Sequence, residues 1–237
     1  MSPAEPYRLH RGHAAPVQQS RTTCGSASLT VARMLADPAF AQWIAGEAGE
    51  GGAAAGGGRG GAAYARFTAY EQQVLRRTNG LFPPSPQNHT GRSTGGVLTG
   101  PARRQRLNIP WPHALGTSPL GALREIEQVA AAGGTRYQVQ VIRWHRPQQL
   151  DGVYRSLAAA VSGGLPALLY VGNTLLPRHV VLLVAAGPPA RVAIDVYDPA
   201  TGQVGELDPD SFADRRLGLG GWDVPWLVLR PGSAPVG

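Results

Sequence analysis

The chain of 237 residues contains no lysine and only one cysteine, Cys24. A single thiol excludes an internal disulfide and any zinc site built from several cysteines. With lysine missing, all 22 basic residues are arginine, which reads as the codon bias of a high-GC genome. No apolar run approaches the length of a membrane-spanning helix. The opening MSPAEPYRLHRGH lacks the apolar core of a signal peptide. A chain without a membrane span is therefore expected, cytoplasmic or exported by a route that needs no classical signal peptide. The glycine-rich string over 46–62 lacks the Gly-Lys-Ser/Thr ending of a phosphate-cradling loop, so nucleotide binding is excluded there and no cofactor is expected. His10 and His13 have the spacing of paired metal ligands. Gly12 and Pro16 oppose a helix, however, and no third ligand is near, so no metal is expected.

The net charge of +7 would suit an anionic partner, but the arginines are scattered and only Arg103, Arg104 and Arg106 form a tight group. No RNA-binding signature or zinc-finger spacing accompanies them, so no specific nucleic-acid partner is expected. Hydrophobic residues make up 43% of the chain, enough for one core, while 32 glycines and 21 prolines predict long loops. A single domain over 1–237 is expected: an irregular arm over 1–16, a flexible glycine-rich segment over 46–62, a helix and loop insertion over 63–134, and a sheet-forming half over 135–230.

Ala27, Val31, Met34 and Leu35 recur at helical spacing and predict a half-buried helix from Gly25 to about Asp37, with FAQWIAG extending or following it. Tyr64, Phe67, Tyr70, Val74 and Leu75 predict a second helix, with Thr68 and Glu71 inside its apolar stripe. Pro, Gly and Asn dominate 79–117, a loop region proposed to cover the cleft, with Trp111 as a candidate substrate platform. Ser118 as N-cap and Pro119 at the first position predict a third helix. TRYQVQVIRWH alternates like a strand, and Leu150 to Val161 form an amphipathic helix stopped by Gly163 and Gly164. LPALLYVG, RHVVLLVAA and VAIDVYD follow as strands, and WDVPWLVLR as one more, with Pro225 arguing for a sheet edge. Helices placed before a largely antiparallel sheet define an α+β fold.

Chemistry centres on QQSRTTCGSASLTVARM, which sets Cys24 at the mouth of a helix, where unpaired N–H groups and the helix dipole favour thiolate. A cysteine nucleophile needs a base, a group to orient that base and an oxyanion donor. His179, at a strand start, is the candidate base, and Asp198, closing the next strand before Pro199, the candidate orienter. Asp195 lies on the opposite face of that strand. Gln18 is the candidate oxyanion donor and Gln19 the fallback. His145 is the second choice as base, weakened by the turn that Arg146 and Pro147 suggest, while His89 and His113 sit in loops.

These residues together resemble a known family. Gln18 and Cys24 in QQSRTTCGSASL, then LPALLYVG, RHVVLLVAA and VYDPATG, look like the papain-like cysteine peptidases of the C39-like branch, which includes domains that cut leader peptides after paired glycines. The resemblance covers Val17 to Leu35 and Gly164 to Gly202, and the middle of the chain has no counterpart in it. It implies a papain-like fold with a nucleophile helix packed on an antiparallel sheet. The implied roles are nucleophile for Cys24, base for His179, orienter for Asp198 and oxyanion donor for Gln18, acting on a peptide or protein substrate. The paired glycines of 46–62 add the idea of self-cleavage. A deamidase or transglutaminase using the same triad, and a non-catalytic binding module on a degraded peptidase fold, are the competing expectations.

Overall fold

The structure, a computed structural model, describes residues 6–12, 14–46, 62–79, 111–112, 116–129, 135–186 and 193–232. The expectations for His13, His89, His113, the arginine group at 103–106, and most of the 46–62 and 79–117 stretches fall outside those residues. No helix among the described residues is long and apolar enough to cross a membrane.

Among the described residues, six helices and six strands run in the order α1 (Cys24–Ala36), α2 (Pro38–Ala45), α3 (Ala62–Asn79), α4 (Pro119–Val129), β1 (Tyr137–Val141), α5 (Pro147–Val161), β2 (Ala167–Gly172), β3 (Pro177–Ala185), β4 (Ile194–Asp198), β5 (Gln203–Glu206), α6 (Pro209–Asp214) and β6 (Val224–Pro231). The strands form one sheet of order β1-β6-β2-β3-β4-β5, every pair antiparallel. The chain is thus an α+β protein.

Local signals explain the helix boundaries. Asp37 interrupts the first helix in an extended conformation and its carboxylate accepts from Phe40 N–H, so FAQWIAG starts afresh as α2 behind Pro38. Ser118 Oγ accepts from Gly121 N–H at 3.0 Å, the N-cap expected at the start of α4. Asp208 accepts from Ser211 N–H and nucleates α6, an element too short to announce itself by periodicity.

Layering decides which residues are buried. Ala27 and Val31 of α1, Phe67, Tyr70 and Val74 of α3, and Ile126 of α4 pack with Leu168, Tyr170, Val180, Leu182 and Leu229 on one face of the sheet. Leu150, Leu157 and Val161 of α5, with Phe212 of α6, pack with Leu169, Val181, Leu183, Val196 and Val228 on the other. Helices therefore flank the sheet on both sides. Burial on both faces is why β2 and the centre of β3 read as unbroken apolar runs instead of alternating ones.

One expectation changes. WDVPWLVLR is not an edge strand: β6 lies between β1 and β2. Pro225 is accommodated where the β2–β6 register shifts between Tyr170 and Val171, the irregular point at which a missing N–H costs least. The edges are β1 and β5 instead. Helices α3 and α4 of the 63–134 stretch pack in the main core and supply much of the packing on α1.

A polar clasp joins these three helices. Arg77 of α3 makes two hydrogen bonds to the Glu125 carboxylate of α4 and also donates to Tyr70 Oη, which receives Arg33 of α1 as well. Arg33 in addition stacks over the Phe40 ring at 4.2 Å. The Arg77 and Glu125 side chains are about nine-tenths buried. Glu125→Ala should leave that guanidinium without its carboxylate and destabilise the fold by about 3 kcal/mol or more, measured as a lower denaturant midpoint with an unchanged slope.

Candidate active site

Cys24 opens α1 and is 1% exposed. Thr23, at the N-cap, does not cap the helix with its side chain. Its hydroxyl turns back instead, accepting from Ser20 N–H at 3.0 Å and donating to Ser20 O at 2.9 Å. The first-turn amides of α1 consequently carry no side-chain cap, and the loop before the thiol is tied to itself.

The sheet delivers the other two groups. His179 lies near the start of β3, and Asp198 is the last residue of the neighbouring β4. His179 Nε2 and Asp198 Oδ1 are 2.7 Å apart, both side chains buried. The Cys24 thiol lies beside the same ring, close enough to raise its titration. With Nε2 on the carboxylate, Nδ1 is the nitrogen left for sulfur. Burial alone would push the imidazole down, but the hydrogen bonds to Asp198 and Cys24 and their charges outweigh it and lift His179 to about 9. Burial likewise pushes the Asp198 carboxyl up. The His179 bond and charge, with N–H donors from Ala200 and Gly220, bring it below its ordinary value.

Asp198 is fully engaged: Oδ1 also accepts from Ala200 N–H at 2.9 Å, and Oδ2 from Gly220 N–H at 2.7 Å. Asp195, three residues earlier on the opposite face, is taken by Arg11, which also bonds Glu206. The turn after Asp198 receives the arm leading to the thiol. Gln18 N–H donates to Pro199 O and Ala15 N–H to Gly202 O, each at 2.8 Å, while Tyr197 Oη donates to Pro16 O. Gln18 thus starts from the turn that carries Asp198.

The two glutamines differ in their surroundings. Gln18 is half-buried, and its Oε1 is buried without a partner among the described residues. Gln19 is exposed and its Oε1 is occupied by Gln72 Nε2 at 2.8 Å. His145 is exposed in the turn after β1, and His10 is exposed on the arm. Trp111 is half-buried, with Nε1 buried and unbonded among the described residues. No group of three or more His, Cys, Asp or Glu among the described residues is placed to hold a metal.

Two glycines that the sequence does not single out line this site. Gly220, at φ +56°, presses its backbone on the imidazole: a Cβ there would lie 2.6 Å from His179 Cδ2 and 2.8 Å from Nε2. Gly116, at φ +71°, closes on the other partner, where a Cβ would come within 3.7 Å of Cys24 Sγ and 3.2 Å of Thr22 O. Next to it, Thr117 lies against Gly25, and its carbonyl accepts from the buried Tyr170 hydroxyl at 3.1 Å. Among 32 glycines, only position in space distinguishes these.

No family model matches the chain, and no curated protein matches it.

Two measurements check this geometry. His179 rises from 6.5 to about 9 on folding, so its contribution to stability is complete below pH 6.5 and is lost as the pH rises through 9. Urea unfolding at pH about 6 and about 10 should show that loss in the wild type and much less of it in His179→Ala. Gly220→Ala should displace the His179 ring and slow Cys24 alkylation about tenfold or more, while the protein stays folded by circular dichroism.

Proposed function

We propose that the protein is a cysteine peptidase or amidase that cleaves a peptide or isopeptide bond by acyl transfer through Cys24, on a papain-like fold of the C39-like kind. The observation that carries this proposal is the position of the His179 ring, hydrogen-bonded to the buried Asp198 carboxylate and set beside the Cys24 thiol. Further support comes from the uncapped start of the nucleophile helix and from the Gln18 amide, which no side chain of the described residues engages.

The chemistry follows from the arrangement. His179 takes the Cys24 proton, and Asp198 holds the resulting imidazolium through Nε2, so a thiolate persists beside a cation in a buried site. The thiolate attacks the amide carbon, and the C=O electron pair moves to oxygen, which meets the Gln18 amide and the Cys24 backbone N–H. Collapse breaks the C–N bond. The amine leaves with the proton from His179, and a thioester remains on Sγ. Water, deprotonated by His179, attacks that thioester and releases the acid, restoring the thiol.

The single cysteine makes the first test direct. Alkylation followed by intact mass should show rapid modification of Cys24 at pH about 7, and His179→Ala should slow it about tenfold or more. An inert Cys24, unmoved by the histidine change, would sink the enzyme proposal and leave a binding module. With a cleavable amide in hand, Gln18→Ala should lower turnover about a hundredfold with little change in alkylation rate, because the oxyanion forms only during acyl transfer. A substrate that gains one mass unit without being shortened would identify deamidation in place of cleavage.

A further inference from the structure

Four carboxyl side chains are buried among the described residues, and three of them face a cation: Glu125 meets Arg77, Asp195 meets Arg11 and Asp198 meets His179. Glu71, on α3 and 0% exposed, is the fourth. It forms no ion pair among the described residues, although a buried carboxylate without a counter-charge is strongly disfavoured. Its Oε1 accepts from Gln19 N–H at 3.1 Å, and its Oε2 is buried with no partner.

The Thr23 hydroxyl lies beside this carboxyl. As described above, that hydroxyl spends its proton on Ser20 O and accepts from Ser20 N–H. Ser20 Oγ, 3.5 Å from the same oxygen, has a nearer partner in Thr22 Oγ1 at 3.1 Å. An ionised Glu71 would thus set one acceptor against another. A proton on Oε2 removes the conflict, since Thr23 Oγ1 has a second lone pair to receive it.

We infer that Glu71 is a neutral carboxylic acid that staples the loop before the nucleophile, Oε1 holding Gln19 N–H and Oε2–H donating to Thr23 Oγ1. The staple fastens α3 to both ends of the segment between Gln18 and Cys24. Burial pushes the Glu71 carboxyl up by more than the Thr23 hydroxyl and the Gln19 N–H pull it down, leaving the net direction a neutral acid requires. Its charge reaches Tyr197 of β4, itself held well above its ordinary value by burial, and no ion pair among the described residues offsets ionisation. Glu71 is a positioning residue. Its bearing on turnover rests on the acyl-transfer proposal, whereas its protonation and its hold on the loop do not.

The test reads those two properties in the intact chain. An infrared difference spectrum of wild type minus Glu71→Gln at pH about 7 should contain the C=O band of a protonated carboxyl. A carboxylate band in its place overturns the inference. Hydrogen exchange at the Gln19 amide supplies the second readout. Glu71→Gln keeps one acceptor and one donor, so protection should stay within about threefold of wild type, while Glu71→Ala should lose about tenfold or more. In the wild type, protection should also fall as alkaline pH removes the Glu71 proton, and in Glu71→Gln it should not. Should the alanine variant fail to fold, the glutamine variant still decides: a tenfold loss of Gln19 protection there, or a pH profile identical to wild type, overturns the staple. Neither readout depends on Cys24 reactivity, so a failed peptidase proposal and a failed staple remain distinguishable.

Discussion

The buried hydrogen bond between His179 and Asp198 is the contact on which the rest of the structure depends. An imidazole shut away from water resists charge, and a carboxylate beside it resists burial, so each needs the other and both need further donors. Those donors come from backbone: Ala200 N–H within the turn after β4, and Gly220 N–H from the segment before β6. The same turn takes Gln18 and Ala15 through the Pro199 and Gly202 carbonyls. The Asp198 carboxylate and the arm that leads to the thiol are therefore parts of one hydrogen-bonded body. A shift in either displaces the other.

The helical layer completes that body from the opposite side. The α1 helix carries Cys24 at its first position and fastens to the sheet one turn later, where Ser28 Oγ reaches Val180 O in β3, the strand of His179. The α3 helix grips the preceding loop through Glu71 and Gln72, and the start of α4 lies against α1 through Thr117 and Gly25. Helices α3 and α4 thus support the loop that leads to Cys24. Arg77 and Glu125 keep those supports in register with each other.

Much of this arrangement was legible in the sequence because it rests on local rules. Asp37-Pro38, Ser118-Pro119 and the apolar runs of β2 and β3 announce element boundaries through capping chemistry and periodicity. Cys24, His179 and Asp198 stand out for the same reason, as reactive residues at the ends of recognisable elements, and the fold brings them together. Long-range facts were not legible. The interior place of β6 was hidden because Pro225 normally marks an edge, and the register shift that excuses it belongs to the pairing with β2. Glu71 reads as the polar interruption of an apolar stripe, and only the approach of Gln19 N–H gives it a task. Gly116 and Gly220 are two among many glycines until their backbones are found against sulfur and imidazole.

The position of β6 also bears on how the chain reaches this state. The last strand in sequence pairs with β1 on one side and β2 on the other, so until it arrives the sheet exists as a lone strand and a separate four-stranded piece. During synthesis the residues that hold His179 and Asp198 precede the strand that joins those pieces, and Gly220, which locks both, is made just before it. Closure across so long a sequence separation is slow compared with forming the helices. A chain halted short of Val224 would present two open strand edges beside a half-built site. The sheet and the surroundings of Cys24 are thus completed by the same C-terminal segment.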